Sequence, residues 1–263
     1  MKLKYFILAL ILGTSVTMTK AQDYDLGVFA GASFYRGDLT PTAVNGLRGT
    51  RPAGGVLARL NMNPHFSLRG NFNIGYIAAY DRLNNPGSSQ EDVDRKARNL
   101  SFHAPVFELS GMLEVNLMKY IAGSKKYKFA PYIFGGVAAA YSSPKAFLNG
   151  DRVALAGVET EPGKSYSPIK IAIPFGLGIK YNISKNWTLG FEFGPRLTFT
   201  DYLDDVSTTY NVNAAPGSDA AMLSNRTGKP VSATSLRGNS NNNDWYYFTG
   251  ITLYKTIRPY RCN

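Results

Sequence analysis

The sequence predicts an all-β fold: an eight-stranded antiparallel up-and-down transmembrane β-barrel with short periplasmic turns and long extracellular loops. Three observations lead to this prediction. Long segments alternate between apolar and polar residues, the connections between them alternate between short and long, and the polar faces carry many glycines and charges of both signs. Alternation with a period of two is typical of strands whose two faces meet different environments.

The first 21 residues have the layout of a secretory signal. Lys2 and Lys4 precede an apolar run of about 12 residues, which ends before the small residues of a cleavage site. We expect cleavage before Gln22, so that 1–21 is the signal and 22–263 is the barrel domain. A helical membrane anchor is the weaker interpretation, because a spanning helix needs about 20 apolar residues.

The clearest strand is 169–183, in which every odd position is apolar and every even position is polar, small or proline. The segment 186–200 repeats this pattern after a turn of three residues, so the two segments form a hairpin. The same pattern, less regular, occurs along the rest of the chain, although the first, fifth and last segments are ambiguous in phase. We expect strands near 25–36, 53–62, 66–80, 101–118, 128–142, 169–183, 186–200 and 244–258.

The connections alternate in length. Those after the second, fourth and sixth strands are short, and those after the first, third, fifth and seventh are long. In an up-and-down meander, alternate connections lie at opposite ends. Short turns at one end and long loops at the other are the arrangement of outer-membrane barrels, in which eight is the smallest strand number.

Whether the apolar face points into the protein or out of it distinguishes two classes of protein. A soluble barrel or sandwich buries that face, whereas a membrane barrel turns it towards lipid. The glycine-rich polar face favours the second class, because the inside of an eight-stranded barrel is just filled by side chains. Its opposite charges could pair there. We expect an interior network in an outer-membrane protein, formed by Arg69, Glu108, Glu114, Lys170, Lys180, Glu192 and Arg196.

Composition narrows the possible functions. The 263 residues carry a formal net charge of +11, with one cysteine and two histidines, which excludes an intramolecular disulfide and argues against a histidine-rich metal site. We expect no metal, no other cofactor, no nucleic-acid partner and no enzymatic activity. Three alternatives stay open: an outer-membrane enzyme, a small-solute channel, or an adhesion barrel using Arg36-Gly37-Asp38, a tripeptide that is also typical of a turn.

Several motifs together resemble one known family. The most specific are the segments 200–210 (TDYLDDVSTTY) and 244–253 (DWYYFTGITL); 99–102, 108–110, 131–136 and 173–181 add to them. In order and spacing the chain is similar to the PorG-like outer-membrane proteins of the Bacteroidetes type IX secretion system. The resemblance implies a non-enzymatic barrel that anchors a periplasmic ring, built of a PorK-like lipoprotein and a PorN-like partner, to the outer membrane.

The first of these motifs opens the longest loop and has two interpretations. Its carboxylates could bind a hard cation, although their spacing matches no EF-hand. Alternatively the motif is structural, with its tyrosines packing at the base of the loop and its hydroxyl residues bonding backbone. The segment 211–243 could then be disordered or cap the barrel. The motif residues are Asp201, Tyr202, Asp204, Asp205, Ser207, Thr208 and Tyr210.

Two features at the short-turn end are candidates for partner binding. Cys262 is the single cysteine of an exported chain, so it could form a disulfide with the ring lipoprotein; the alternative is a free terminal thiol. A cluster of basic residues could meet an acidic partner surface, or could simply keep the turns in water. Its candidate members are Lys125, Lys126, Lys185, Arg258 and Arg261.

Overall fold

A computed structural model describes residues 23–42, 47–83 and 90–258. Eight long strands form the body of the fold: β1 (Asp23–Arg36), β2 (Arg51–Asn61), β3 (Phe66–Tyr80), β4 (Ser101–Asn116), β5 (Phe129–Ser142), β8 (Ile169–Asn182), β9 (Trp187–Thr198) and β10 (Trp245–Ile257). A short hairpin, β6 (Lys145–Leu148) and β7 (Asp151–Ala154), and two helices, α1 (Gln90–Arg98) and α2 (Asp219–Ser224), lie in the connections.

The eight long strands close into a barrel. Each pairs antiparallel with its neighbour along the chain, and the last strand pairs with the first, from Tyr24 opposite Ile257 to Arg36 opposite Trp245. Closure leaves no strand edge of the barrel unpaired, which a sheet in hydrocarbon requires. The predicted fold class is therefore confirmed, and every strand end lies within two residues of its expected position.

The apolar face of the strands points outward. Leu177 is 57% exposed and its neighbours Ile171 and Ile179 are exposed too, whereas Lys180 on the alternate face is fully buried. Exposed aromatic residues gather at the strand ends beside the short turns, and a second group gathers beside the long loops. The first group is Tyr24, Phe66, Phe129, Tyr181 and Trp187, and the second includes Tyr76, Tyr141 and Phe199.

Little space is available inside the barrel, and glycine is required where a neighbouring side chain lies against the backbone. A Cβ atom on Gly176 would collide with the carbonyl oxygen of Phe193 and lie 2.7 Å from Cζ of Phe134. The inward-facing ring of Phe134 thus occupies space that a side chain at position 176 would need. This close packing is the physical reason for the small residues on the polar face.

The two ends of the barrel differ. At the short-turn end, the connections 62–65, 117–128 and 183–186 are brief. At the long-loop end, connecting segments fold over the opening; we name 81–83, 90–100, 143–168 and 199–244 the cap. The cap includes the β6–β7 hairpin, whose turn has positive φ at Asn149 (51°) and Gly150 (95°), as a two-residue hairpin of type I′ requires. No helix in the described ranges is long and apolar enough to span a membrane.

Candidate functional site

The centre of the barrel is an ionic cluster around Glu114. Its carboxylate lies 3.0 Å from the guanidinium of Arg59, 2.9 Å from that of Arg69 and 2.5 Å from Nζ of Lys180. Arg59 also lies 3.3 Å from Asp25. The side chain of Glu114 is completely buried. A buried carboxylate is tolerated only with such compensation, so the cluster holds β1, β2, β3, β4 and β8 in one arrangement.

Two further carboxylates are paired inside the barrel: Glu192 joins the cluster through Arg69, and Glu108 forms a separate pair with Arg196. Glu192 contacts Arg69 and accepts a hydrogen bond from the Tyr132 hydroxyl at 2.5 Å. Glu108 lies 3.0 Å from Arg196 and accepts a hydrogen bond of 2.8 Å from Tyr246. The strands that meet here are β3, β4, β5, β9 and β10. The network therefore reaches across the lumen and links strands that are not neighbours in the sheet.

Charges inside the barrel are balanced, and aromatic rings complete the packing. The described inward-facing cations of the network are Arg59, Arg69, Lys180 and Arg196, and the carboxylates are Asp25, Glu108, Glu114 and Glu192. Ring faces cover several of the cations: the Tyr254 ring lies 4.2 Å from Arg59 and the Tyr132 ring 4.3 Å from Lys180. A cavity beside this network measures only about 10 Å³, too small for a file of water molecules.

The structure brings together six of the seven residues expected in the interior network and separates one. Lys170 is buried, but its Nζ donates to the carbonyl oxygens of Ser142 and Ser167, both at 3.2 Å, near the cap. Sequence reasoning missed Asp25 and Arg59. Asp25 lies in the first strand, where the alternation did not show which residues face inward. Arg59 lies directly opposite Arg69 in the β2–β3 pairing, so it points to the same side as Arg69, which is the interior.

The motif loop begins the cap and contributes a buried carboxylate pair. The Tyr35 hydroxyl lies 2.6 Å from Oδ2 of Asp204 and 2.8 Å from Oδ1 of Asp244. A phenol has one proton to donate, so both hydrogen bonds form only when one carboxyl is itself protonated. Burial raises the pKa of Asp244 to about 8, and burial together with the neighbouring Asp244 raises the pKa of Asp204 well above its ordinary value.

A second polar centre joins the motif loop to the segment after β7. Arg237 lies 3.1 Å from Glu161 and 3.2 Å from Asp205. The backbone N–H groups of Ser207 and Thr208 donate to Glu161 at 2.8 and 2.9 Å. Tyr166 donates to Asp205 at 2.7 Å; it also stacks on Tyr202 with 5.1 Å between ring centroids. Tyr210 is buried.

These contacts favour the structural interpretation of the motif and a folded cap over 211–243. Asp201, the remaining motif carboxylate, is buried, and burial followed by the charge of Asp244 raises its pKa to about 8. Within the described residues, no group of three or more His, Cys, Asp or Glu side chains is arranged to hold a metal ion.

Basic side chains surround the short-turn end. Lys125, Lys126 and Lys185 are exposed. Arg258 differs from them, because its guanidinium donates to the carbonyl oxygens of Ala122 (2.7 Å) and Lys185 (3.0 Å) and so ties two turns together. Arg261 and Cys262 lie outside the described residues, as does the predicted signal, 1–21.

The two histidines and the Arg36-Gly37-Asp38 tripeptide have structural roles. His103 stacks on Phe147 at 4.9 Å, and the ring of His65 contacts the carbonyl oxygen of Asn116. In the Arg36-Gly37-Asp38 tripeptide, Gly37 bridges to Thr40 through backbone hydrogen bonds, and Asp38 accepts a bond from the N–H of Asn239. The tripeptide is thus a turn that fastens the end of β1 to the cap.

One family model, described as a domain of unknown function (DUF6089), matches residues 3–216. The chain belongs to the DUF6089 family. Among curated proteins, none matches this DUF6089 sequence.

Several solved structures are similar to this DUF6089 barrel in fold. Ail of Yersinia pestis, in complex with the heparin analogue sucrose octasulfate, is 8% identical with a TM-score of 0.44, covering 90% of this chain and 100% of that one. Neisserial surface protein A is 10% identical with a TM-score of 0.44, covering 88% and 96%. A major outer membrane protein of Thermus thermophilus is 14% identical with a TM-score of 0.40, covering 90% and 100%.

Proposed function

We propose that this DUF6089 protein is a non-enzymatic outer-membrane barrel of the type IX secretion machinery, which anchors a periplasmic ring of PorK-like and PorN-like proteins. The observation that carries the structural part of this proposal is the filled interior beneath a folded cap. Because the described side chains fill the lumen around the network, the surfaces left for function are the outward belt and the two ends.

The outward belt supports a membrane location. Between the two groups of aromatic residues, the exposed positions of the described barrel strands carry one charged side chain, Lys255, which lies opposite Trp187 at the edge of the belt. Val56, Leu109, Val137 and Leu177 are among those positions, and each is more than half exposed. In water such a belt would form one large apolar patch around the molecule. Two aromatic girdles enclosing an apolar band are the usual lipid-facing surface of an outer-membrane barrel.

The filled interior argues against a channel and against catalysis inside the barrel. Each carboxylate of the network is already held by a cation or a hydroxyl at hydrogen-bond distance. A general acid or base needs access to a substrate, and these groups have none. A scaffold needs only a rigid body, which a buried network of ion pairs across the lumen provides.

The short-turn end supports a role in docking. The turns at this end expose five lysines: Lys119, Lys125, Lys126, Lys128 and Lys185. Among described residues, the nearest carboxylate to this end is Asp23, at the start of β1 and 3.7 Å from Arg258. Such an uncompensated positive surface raises the association rate with an acidic partner. The assignment of that partner to a type IX ring rests on the motif resemblance.

The proposal is tested by affinity purification from detergent-solubilised outer membranes. We expect a periplasmic ring lipoprotein to copurify with the wild-type chain. Charge reversal of Lys125, Lys126 and Lys185 to Glu should abolish recovery, while Lys229→Glu in the cap should not affect it. Equal recovery with both variants would refute docking at the short-turn end, and absence of any ring component with the wild-type chain would refute the type IX assignment.

A separate arm tests the proposed disulfide. Purification with and without reductant should show a heavier band in the wild type that reductant removes. If the same band persists in Cys262→Ser, the cysteine does not link the barrel to the lipoprotein.

A further inference from the structure

A large pocket lies at the long-loop end and borders the second polar centre of the cap, with which it shares Arg237. Its volume is about 830 Å³, within the range of small-molecule sites. One wall comes from strand ends, with Arg36 of β1, Leu197 of β9 and Trp245 of β10. The opposite side is formed by the end of α1 and by the segment 236–243.

The floor of the pocket is fixed by the fold. Arg98 donates to Asp81 at 2.7 and 2.8 Å and to the carbonyl oxygen of Asp38 at 3.1 Å, and it also contacts the carbonyl oxygen of Arg237. Arg237 is held in turn by Glu161 and Asp205. Both guanidinium groups therefore keep their positions whether or not the pocket is occupied. A preformed floor lowers the conformational cost of binding a ligand.

Arg36 is available to a ligand, in contrast to the two floor arginines. It is exposed, and its Nε donates to the carbonyl oxygen of Pro41 at 3.1 Å. Its guanidinium carbon lies 5.8 Å from the centre of the Trp245 ring. No ion pair between Arg36 and a carboxylate occurs among the described residues. An arginine oriented in this way on a pocket wall is suited to a carboxylate or phosphate group.

The lining also contains two carboxylates, Asp38 and Asp94, which can accept hydrogen bonds from hydroxyl groups, and a set of amides. Asn239, Asn241, Asn242 and Asn243 all line the pocket, and all four are exposed. A primary amide offers two donors and an acceptor, which is the combination that a ring of hydroxyls can use. Trp245 adds a large apolar surface with a polar edge. Amides, one available cation and an indole together suit a sugar that bears an acidic group.

We propose that this pocket binds an acidic saccharide, a hydroxyl-rich sugar carrying a carboxylate or phosphate, presented on the outer side of the membrane. Arg36 pairs with the acidic group, and the asparagines bind the hydroxyls. Leu197 and Trp245 belong to neighbouring strand ends at the border of the apolar belt, so both a free glycan and the head group of a membrane glycolipid can reach the pocket. This inference does not depend on the type IX assignment.

The test uses the full-length barrel in lipid nanodiscs and a short oligogalacturonate as the probe. Its matched control is the same oligosaccharide with methyl-esterified carboxyls, which keeps the sugar and removes the charge. We expect the acid form to bind with a dissociation constant below about 1 mM. We expect Arg36→Gln to weaken binding of the acid form about tenfold, as loss of a charge-assisted hydrogen bond does. Binding of the methyl ester should be the same for the wild type and Arg36→Gln.

Lys164→Gln is the control variant, since it removes an exposed positive charge from the same end without lining the pocket. It should leave binding unchanged. Three results would each overturn the proposal: absence of binding to the wild type at about 1 mM, equal weakening by both substitutions, or full displacement of the oligogalacturonate by an equal concentration of inorganic phosphate. The last result would indicate a simple anion site.

The two sources of the saccharide are separated by the composition of the nanodisc. A bilayer containing a phosphorylated glycolipid should block the soluble probe if the natural ligand is a lipid head group. Unchanged binding of the probe in that bilayer assigns the pocket to a soluble or cell-surface glycan. Both outcomes support an acidic saccharide and differ only in where it is attached.

Discussion

Replacing Glu114 with Gln tests the buried network at its centre. The substitution preserves the shape of the side chain but removes the negative charge shared by Arg59, Arg69 and Lys180, which lie 2.5–3.0 Å away. Loss of one partner from a buried ion pair costs about 3–5 kcal/mol. The amide oxygen still accepts one hydrogen bond, so we expect about 3 kcal/mol, which is roughly a hundredfold change in the folding equilibrium.

The assay is urea unfolding of the barrel in lipid vesicles. Fluorescence of Trp187 and Trp245, the two tryptophans of the chain, reports unfolding, and the shift between folded and unfolded bands on gels provides a second probe. Asp151→Asn, in the exposed β6–β7 hairpin, is the control and should change stability by no more than about 0.5 kcal/mol.

A double variant tests whether the charges of the network depend on one another. Adding Lys180→Met to Glu114→Gln removes one of the cations left without compensation and replaces it with an apolar side chain. We therefore expect the double variant to be more stable than Glu114→Gln alone. Two results would show that the network does not act as one unit. In the first, Glu114→Gln lowers the free energy of unfolding by less than about 1 kcal/mol; in the second, the losses caused by Glu114→Gln and Lys180→Met are additive in the double variant.

Three further predictions concern the faces, the cap and the lumen. Leu177→Arg places a charge in the apolar belt at a cost of about 2–4 kcal/mol and should reduce the heat-modifiable folded band, whereas Lys170→Gln should retain it; equal loss would contradict the assignment of faces. Raising the pH from about 4 to about 8 should weaken the cap. Over this range Asp244 keeps its proton in the folded protein and loses it in the unfolded chain, so the free energy of unfolding falls by about 1.4 kcal/mol per pH unit. Limited proteolysis of the cap should become faster over that range in the wild type and less so in Asp244→Asn, and the same pH profile in both would exclude this carboxyl as the cause. The wild-type barrel should show negligible conductance in planar bilayers, and steady ion-conducting steps would contradict a filled interior.

The barrel could be predicted from the sequence because the alternation of apolar and polar residues follows directly from the two environments that each strand separates. Strand ends followed from the same pattern and were predicted to within two residues. The β6–β7 hairpin was missed, although the dipeptide Asn149-Gly150 is a strong local signal for a two-residue hairpin turn. The helix α1 was missed for a different reason: its fixed end depends on the pairing of Arg98 with Asp81, a contact that no local pattern contains.

The candidate sites were less predictable than the fold. Charges on a polar face showed which residues turn inward, but the partners of each charge depend on which strands oppose one another across the lumen. Glu161 and Arg237 are 76 positions apart in the chain, and the pocket at Arg36 is formed by strand ends and loops together. Such groupings arise from the closure of the barrel and the folding of the cap, so spacing along the chain does not reveal them.

Because the members of the ionic network lie on different strands, we expect insertion of the barrel into lipid to be concerted. Arg69 on β3 meets Glu192 on β9, and Arg59 on β2 meets Glu114 on β4. An intermediate with only some strands inserted would turn single charges towards acyl chains, with no counterion in reach. We therefore expect the strands to associate before, or while, they cross the membrane, so that each charge meets its partner as the barrel closes.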